Sequence, residues 1–142
     1  MQLNFNTKAE QLQTHGGILL STPGLPAIHV EAVRKQRLKC EQNDVTVRLP
    51  VKTFKSILDK ASKQELSQIP TLFEEVVPGD LSPDRISAST DKNGAIRLTD
   101  LRSKLKNTVV ITPDQLQHVN KKIVQPFEGL RSAAERNVSE IA

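Results

Sequence analysis

Asp44–Val77, DVTVRLPVKTFKSILDKASKQELSQIPTLFEEVV, is the stretch whose strand, turn and helix signals agree with one another, and its reading decides the fold. It opens in strict alternation: Val45, Val47 and Leu49 fall on one face of an extended strand, and Asp44, Thr46 and Arg48 on the other. Pro50 stops the ladder and suits a first helical turn, where its missing N–H is no loss and its φ is already helical. Phe54, Ile57, Leu58 and Ala61 then recur at i, i+3, i+4 and i+7, with Lys52, Lys55, Asp59, Lys60 and Lys63 around the rest of the circumference. The same period returns at Ile69, Leu72, Phe73, Val76 and Val77 and predicts a second amphipathic helix. Ser67 is placed to cap it, Pro70 sits within its first turn, and Pro78-Gly79 closes it.

A strand and two helices in so short a stretch cannot bury three apolar faces alone, whereas two copies can. In this respect residues 44–77 resemble the ribbon-helix-helix (Arc-type) family of DNA-binding repressors. TVRLP matches that family's strand ending in a proline, and Phe54, Ile57, Ala61, Ser67, Leu72, Phe73 and Val76 fall where such a repressor carries its core residues and helix cap. The resemblance implies a homodimer that reads double-stranded DNA. Asp44, Thr46 and Arg48 would face the major groove, and the amides at Ser67, Gln68 and Ile69 would grip a phosphate. Arg bonds two acceptors on guanine, Thr takes a donor or a thymine methyl, and a helix N-terminus attracts anions. Lys52 and Lys55, beside the ribbon, are candidate phosphate contacts. Asp44 and Glu65 depart from the pattern, the first by its charge against an acceptor-rich groove and the second by standing where a glycine is common. The same residues also read as an ordinary α+β core unit.

The whole chain is 142 residues with a net charge of +4, so it fits one compact domain or a small domain with structured arms. Its charge is segregated. Nine basic and three acidic residues lie between Arg34 and Lys63, whereas Gln64–Asp84 holds five acidic residues and no basic one. Such segregation favours an anionic partner on one side. With four Phe and neither Trp nor Tyr, the core is aliphatic and no aromatic platform serves single-stranded nucleic acid. Cys40 is the only cysteine, which excludes an intramolecular disulfide and a thiolate metal cluster. No leader-like N-terminus or long apolar run is present, so the reading is a cytoplasmic protein without a membrane anchor, in which the sequon at Asn137 is idle.

Residues 1–27 read as an arm or linker whose apolar group Ile18, Leu19 and Leu20 docks on its own domain or on a second protomer. Residues 28–80 form the ribbon-helix-helix-like unit, with Ile28–Lys39 ambiguous between strand and basic helix and read as strand entering helix. Residues 81–142 form a C-terminal α+β segment. Its hairpin runs from Ile86 to Leu98 around Asp91-Lys92-Asn93-Gly94. Asp91, Asn93, Gly94, Ile96 and Asp100 also resemble part of a calcium loop, but Ser89 stands where its first aspartate belongs and Asp100 replaces the terminal glutamate. The hairpin reading is therefore preferred, with no metal. TVVI at residues 108–111 is a short strand, Thr112-Pro113-Asp114 caps a helix through Leu116, Val119, Ile123 and Val124, and Pro126 kinks or ends it. The tail reads as a last helix with Phe127, Leu130, Ala134, Val138 and Ile141 on one side.

His15, His29 and His118 lie far apart without metal-ligand spacing, no nucleophile elbow or phosphate loop is present, and Cys40 has basic neighbours but no companion histidine or acid. The reading is no enzyme, no catalytic residues and no cofactor. The fold expectation is α+β, a dimeric ribbon-helix-helix-like unit with a C-terminal β-hairpin and helices. The functional expectation is a DNA-binding regulator or an accessory protein of plasmid or phage DNA handling. The alternative is a non-enzymatic adaptor, chaperone or structural protein of a secretion or phage assembly, acting on a protein partner.

Overall fold

The computed structural model describes residues 8–11, 17–34, 36–77, 79, 82–102 and 104–126. Strands β1 (Lys8–Gln11), β2 (Ile18–Ser21), β3 (Ile28–Val33), β4 (Arg37–Gln42) and β5 (Val45–Pro50) form a five-stranded antiparallel meander in chain order. Helix α1 (Val51–Ser62) leads to a second meander of β6 (Thr71–Glu75), β7 (Asp84–Thr90), β8 (Ile96–Asp100) and β9 (Thr108–Ile111). Helix α2 (Pro113–Val119) follows and continues as a π-helical turn over Asn120–Val124.

This architecture corrects the strand-helix-helix expectation in three places. The second helix is not formed: residues 71–75 are strand β6, paired with β7 in the register Phe73↔Ile86. Residues 28–42 are a hairpin of two strands rather than a strand entering a helix. Strand β5 pairs with β4 of its own chain, Val47 opposite Cys40 and Arg48 opposite Lys39, so it is the end strand of a five-stranded sheet and not the lone strand of a ribbon unit. The apolar group of the N-terminal arm docks within the chain, with Ile18 and Leu20 buried on β2. The expected last helix lies in residues 127–142, outside the described residues.

Local chemistry explains the elements. The turn between β4 and β5 is the two-residue loop Asn43-Asp44, both with positive φ (52° and 63°), the conformation that matches the twist of a tight hairpin. Helix α1 follows Pro50 directly; its first amide, Val51 N–H, donates to Gln36 O at 2.9 Å, which replaces a side-chain cap. The helix ends where Gln64 takes φ +57° and Glu65 N–H reaches back to Lys60 O at 2.8 Å. In the β7–β8 turn Gly94 takes φ +86°, and Asp91 Oδ1 accepts from Asn93 N–H at 2.8 Å and Ala95 N–H at 3.0 Å. Helix α2 carries a capping box: Gln115 N–H donates to Thr112 Oγ1 at 3.0 Å and Thr112 N–H to Gln115 Oε1 at 2.9 Å.

The inner faces of the two sheets share one apolar cluster. Ile18, Val30, Cys40 and Val47 form a cross-strand row in the first sheet, and Ala88, Leu98 and Val109 one in the second. Strand β5 lies against β7, β8 and β9, while Phe54 and Ile57 of α1 and Leu116 and Val119 of α2 enter the same cluster. Gln115 Nε2 also donates to Thr22 Oγ1 at 2.9 Å, joining α2 to the end of β2 in the interior.

Candidate functional site

The residues assigned to DNA by the family resemblance are dispersed. Asp44 is in the β4–β5 turn, and Thr46 and Arg48 lie on the outer face of the first sheet, opposite Glu41 and Lys39. Lys52 and Lys55 are on the exposed side of α1. Ser67 and Gln68 lie in the connection between α1 and β6, not at a helix N-terminus: Ile69 N–H donates to Ser67 Oγ at 3.2 Å, and Ser67 O accepts from Thr90 N–H at 2.8 Å.

Most cations of the basic block have acidic neighbours. Lys39 Nζ lies 2.7 Å from Glu41 and 3.5 Å from Glu31; the hydrogen bond to Glu41 raises the lysine pKa, and the same bond lowers that of Glu41. Lys52 meets Glu75 at 3.5 Å, Lys60 meets Glu65 at 3.6 Å and Lys63 meets Asp59 at 3.1 Å. These exposed pairs contribute little stability but reduce the field that a phosphate backbone would feel.

Interior chemistry is structural. Asp84, at the start of β7, is buried and accepts from Arg37 Nε of β4 at 2.7 Å and from Arg102 Nη1, an ion-pair tether between the sheets. Burial pushes the Cys40 thiol up to about 12, which makes it a packing group rather than a nucleophile. His29 Nε2 is buried without a partner among the described residues, close under Gly17, where a Cβ would come within 2.6 Å of it. Among the described residues no group of three or more His, Cys, Asp or Glu is placed to hold a metal ion, and no helix is long and apolar enough to cross a membrane.

The sheet ends differ from one another. Asp100 N–H donates to Asn107 O, so the Asp100–Asn107 pair is hydrogen-bonded and the alternation turns the N–H and C=O of Thr108 and Val110 away from β8. At Val110 both groups are satisfied by one side chain: Gln42 Oε1 accepts from its N–H at 2.8 Å and Gln42 Nε2 donates to its carbonyl at 2.9 Å. Asn107 Nδ2 in turn donates to Thr46 O on the outer edge of β5 at 3.1 Å. Two side-chain amides thus close the seam between β5 and β9, as a further strand would.

Among the described residues, no side chain closes the outer edge of β6 in this way, although α1 lies near the strand and Lys52 meets Glu75. Leu101 N–H donates to Arg85 O, so the odd-numbered residues of β7 bond to β8 and the even-numbered ones to β6. Thr71, Phe73 and Glu75 therefore bond to β7, and the backbone groups of Leu72 and Glu74 point away from the sheet. The outward side chains are apolar as well: Ile69 is 77% exposed, Leu72 53% and Val76, one residue past the strand, 68%. Between Leu72 and Val76 stands Glu74, which meets Arg85 of β7 at 3.1 Å. Sequence periodicity places Ile69, Leu72 and Val76 in a helix core; no local signal finds them as a surface, because the two faces of the strand, Leu72, Glu74, Val76 and Phe73, Glu75, Val77, carry the same apolar-acidic-apolar order. No protein-family model, curated protein or solved structure matches the chain.

Proposed function

We propose that the protein is a non-enzymatic adaptor or structural component of a larger assembly, and that its contact surface is the outer edge of β6, the end strand of its sheet among the described residues. The observation that carries this reading is the coincidence, on one strand, of outward backbone groups at Leu72 and Glu74 with the exposed side chains Ile69, Leu72 and Val76. An extended segment added there gains ladder hydrogen bonds from the first and apolar burial from the second. Full burial of a Leu, Ile or Val is worth about 1.5–3 kcal/mol. With half to three quarters of each side chain still exposed, covering them contributes about 1–2 kcal/mol apiece, and truncating one is expected to weaken binding about five- to thirtyfold. A DNA-binding role rests on a different footing, since Thr46 and Arg48 lie on a sheet face shared with Glu31 and Glu41 rather than on a two-chain ribbon.

The test is amide hydrogen exchange of the chain with a short synthetic peptide alternating valine and serine, run beside retention on random duplex DNA. The adaptor reading expects slowed exchange at Leu72, Glu74 and Val76 and weak retention. Unchanged exchange at β6, together with duplex retention that falls steeply as salt rises, replaces it with the regulator.

A further inference from the structure

We infer that the segment taken up by β6 is β6 of a second copy of this chain, an inference that rests on the reading of β6 as a contact edge. Because the outward groups of β6 belong to Leu72 and Glu74, and Val76 comes next in the same alternation just past the strand, antiparallel self-pairing about a two-fold axis must match even-numbered residues with even-numbered ones. Three such registers set two different members of Leu72, Glu74 and Val76 against each other. A centre at Phe73 sets Leu72 against Glu74, and a centre at Glu75 sets Glu74 against Val76; both bury a charge against an apolar side chain. A centre at Glu74 sets Leu72 against Val76 on both sides of the axis, so that two apolar pairs flank one polar position.

Charge fits the same register. The two Glu74 carboxylates meet at the axis, and each already has an arginine behind it: Arg85 Nε lies 3.1 Å from Glu74 Oε1 on the neighbouring strand. The order across the axis is therefore arginine, glutamate, glutamate, arginine, with no net charge. The residual repulsion between the carboxylates limits the affinity instead of forbidding the contact. Pairing joins the two four-stranded sheets into one of eight strands and removes an exposed edge from both copies.

The experiment is sedimentation equilibrium over a wide concentration range for wild type, Glu74→Gln and Leu72→Lys, each checked for an unchanged melting temperature at low concentration. Self-pairing expects a concentration-dependent dimer. Glu74→Gln should tighten it by about two- to fivefold, since a like-charged pair becomes a hydrogen-bonded one. Leu72→Lys should weaken it by about a hundredfold, since the change enters twice across the axis. A dimer unaffected by Leu72→Lys, or weakened by Glu74→Gln, overturns the register. A chain that stays monomeric while β6 is protected by the valine–serine peptide overturns the second copy as occupant and leaves β6 as a contact edge. A monomer with no protection by the peptide overturns both.

Discussion

Replacing Gln42 by alanine removes the group that closes the seam between the two sheets. Gln42 is 7% exposed and makes three hydrogen bonds through one amide: to both backbone groups of Val110 at 2.8 and 2.9 Å, and to Pro26 O at 3.2 Å. Each such bond is worth about 0.5–1.5 kcal/mol net, and a partner left without water costs more. Gln42→Ala should therefore destabilise the fold by about 3 kcal/mol, read as a fall of about 10 °C in Tm or as the equivalent drop in urea midpoint at unchanged m-value. Gln42→Glu is the sharper control. It keeps the acceptor for Val110 N–H but sets a carboxylate against the carbonyls of Val110 and Pro26, which raises its pKa in the folded state. Such a group stabilises the fold below its unfolded pKa of about 4.3 and loses that contribution as pH rises through the folded value, so this variant should recover stability on acidification while Gln42→Ala does not. A Gln42→Ala protein within about 0.5 kcal/mol of wild type refutes the view that this amide holds the seam.

Two further outcomes follow from single groups. Cys40, with its thiol pushed up to about 12 by burial, should resist a thiol reagent at pH 8 in the native state and react only as the chain unfolds, so rapid native labelling contradicts its place in the core. Asp91→Ala should cost about 1 kcal/mol through loss of the two amide hydrogen bonds at the β7–β8 turn, and millimolar calcium should leave the wild-type Tm unchanged because that carboxylate already serves the turn; a calcium-dependent rise in Tm abolished by the same substitution reverses the assignment.

Where an element's end is written in local chemistry, its identity is legible in the sequence. Pro50 separates β5 from α1, Asp91 and Gly94 make the β7–β8 turn, and the Thr112–Gln115 capping box starts α2; each is decided within a few residues of itself. The β4–β5 hairpin was equally local but less visible. Its Asn43-Asp44 turn lacks glycine, and β4 places Gln42 on its inner face, where alternation leads one to expect an apolar residue. That glutamine faces inward because the edge of β9 needs an amide there, a demand set by residues more than sixty positions away.

The error at residues 69–77 has a different cause and bears on function. Ile69, Leu72, Phe73, Val76 and Val77 satisfy a helical period, whereas LFEEVV does not alternate apolar with polar residues, so local pattern alone points to helix. Strand wins because Thr71, Phe73 and Glu75 find bonding partners on β7 and Phe73 packs on the shared core, neither of which a helix there would supply. Extension then divides the apolar residues between two faces, and Leu72 and Val76, which a helix would have buried, are left exposed on a strand whose outer edge has no partner strand among the described residues. The dimer expected from the helical reading was to be driven by apolar surface that one chain cannot cover. Val47, Phe54 and Ile57 are now covered within the chain, and of the apolar residues in that stretch Ile69, Leu72 and Val76, around Glu74, stay exposed. A contact built on that remnant is small, extended and governed by register, which is why one outward leucine and one outward glutamate suffice to test it.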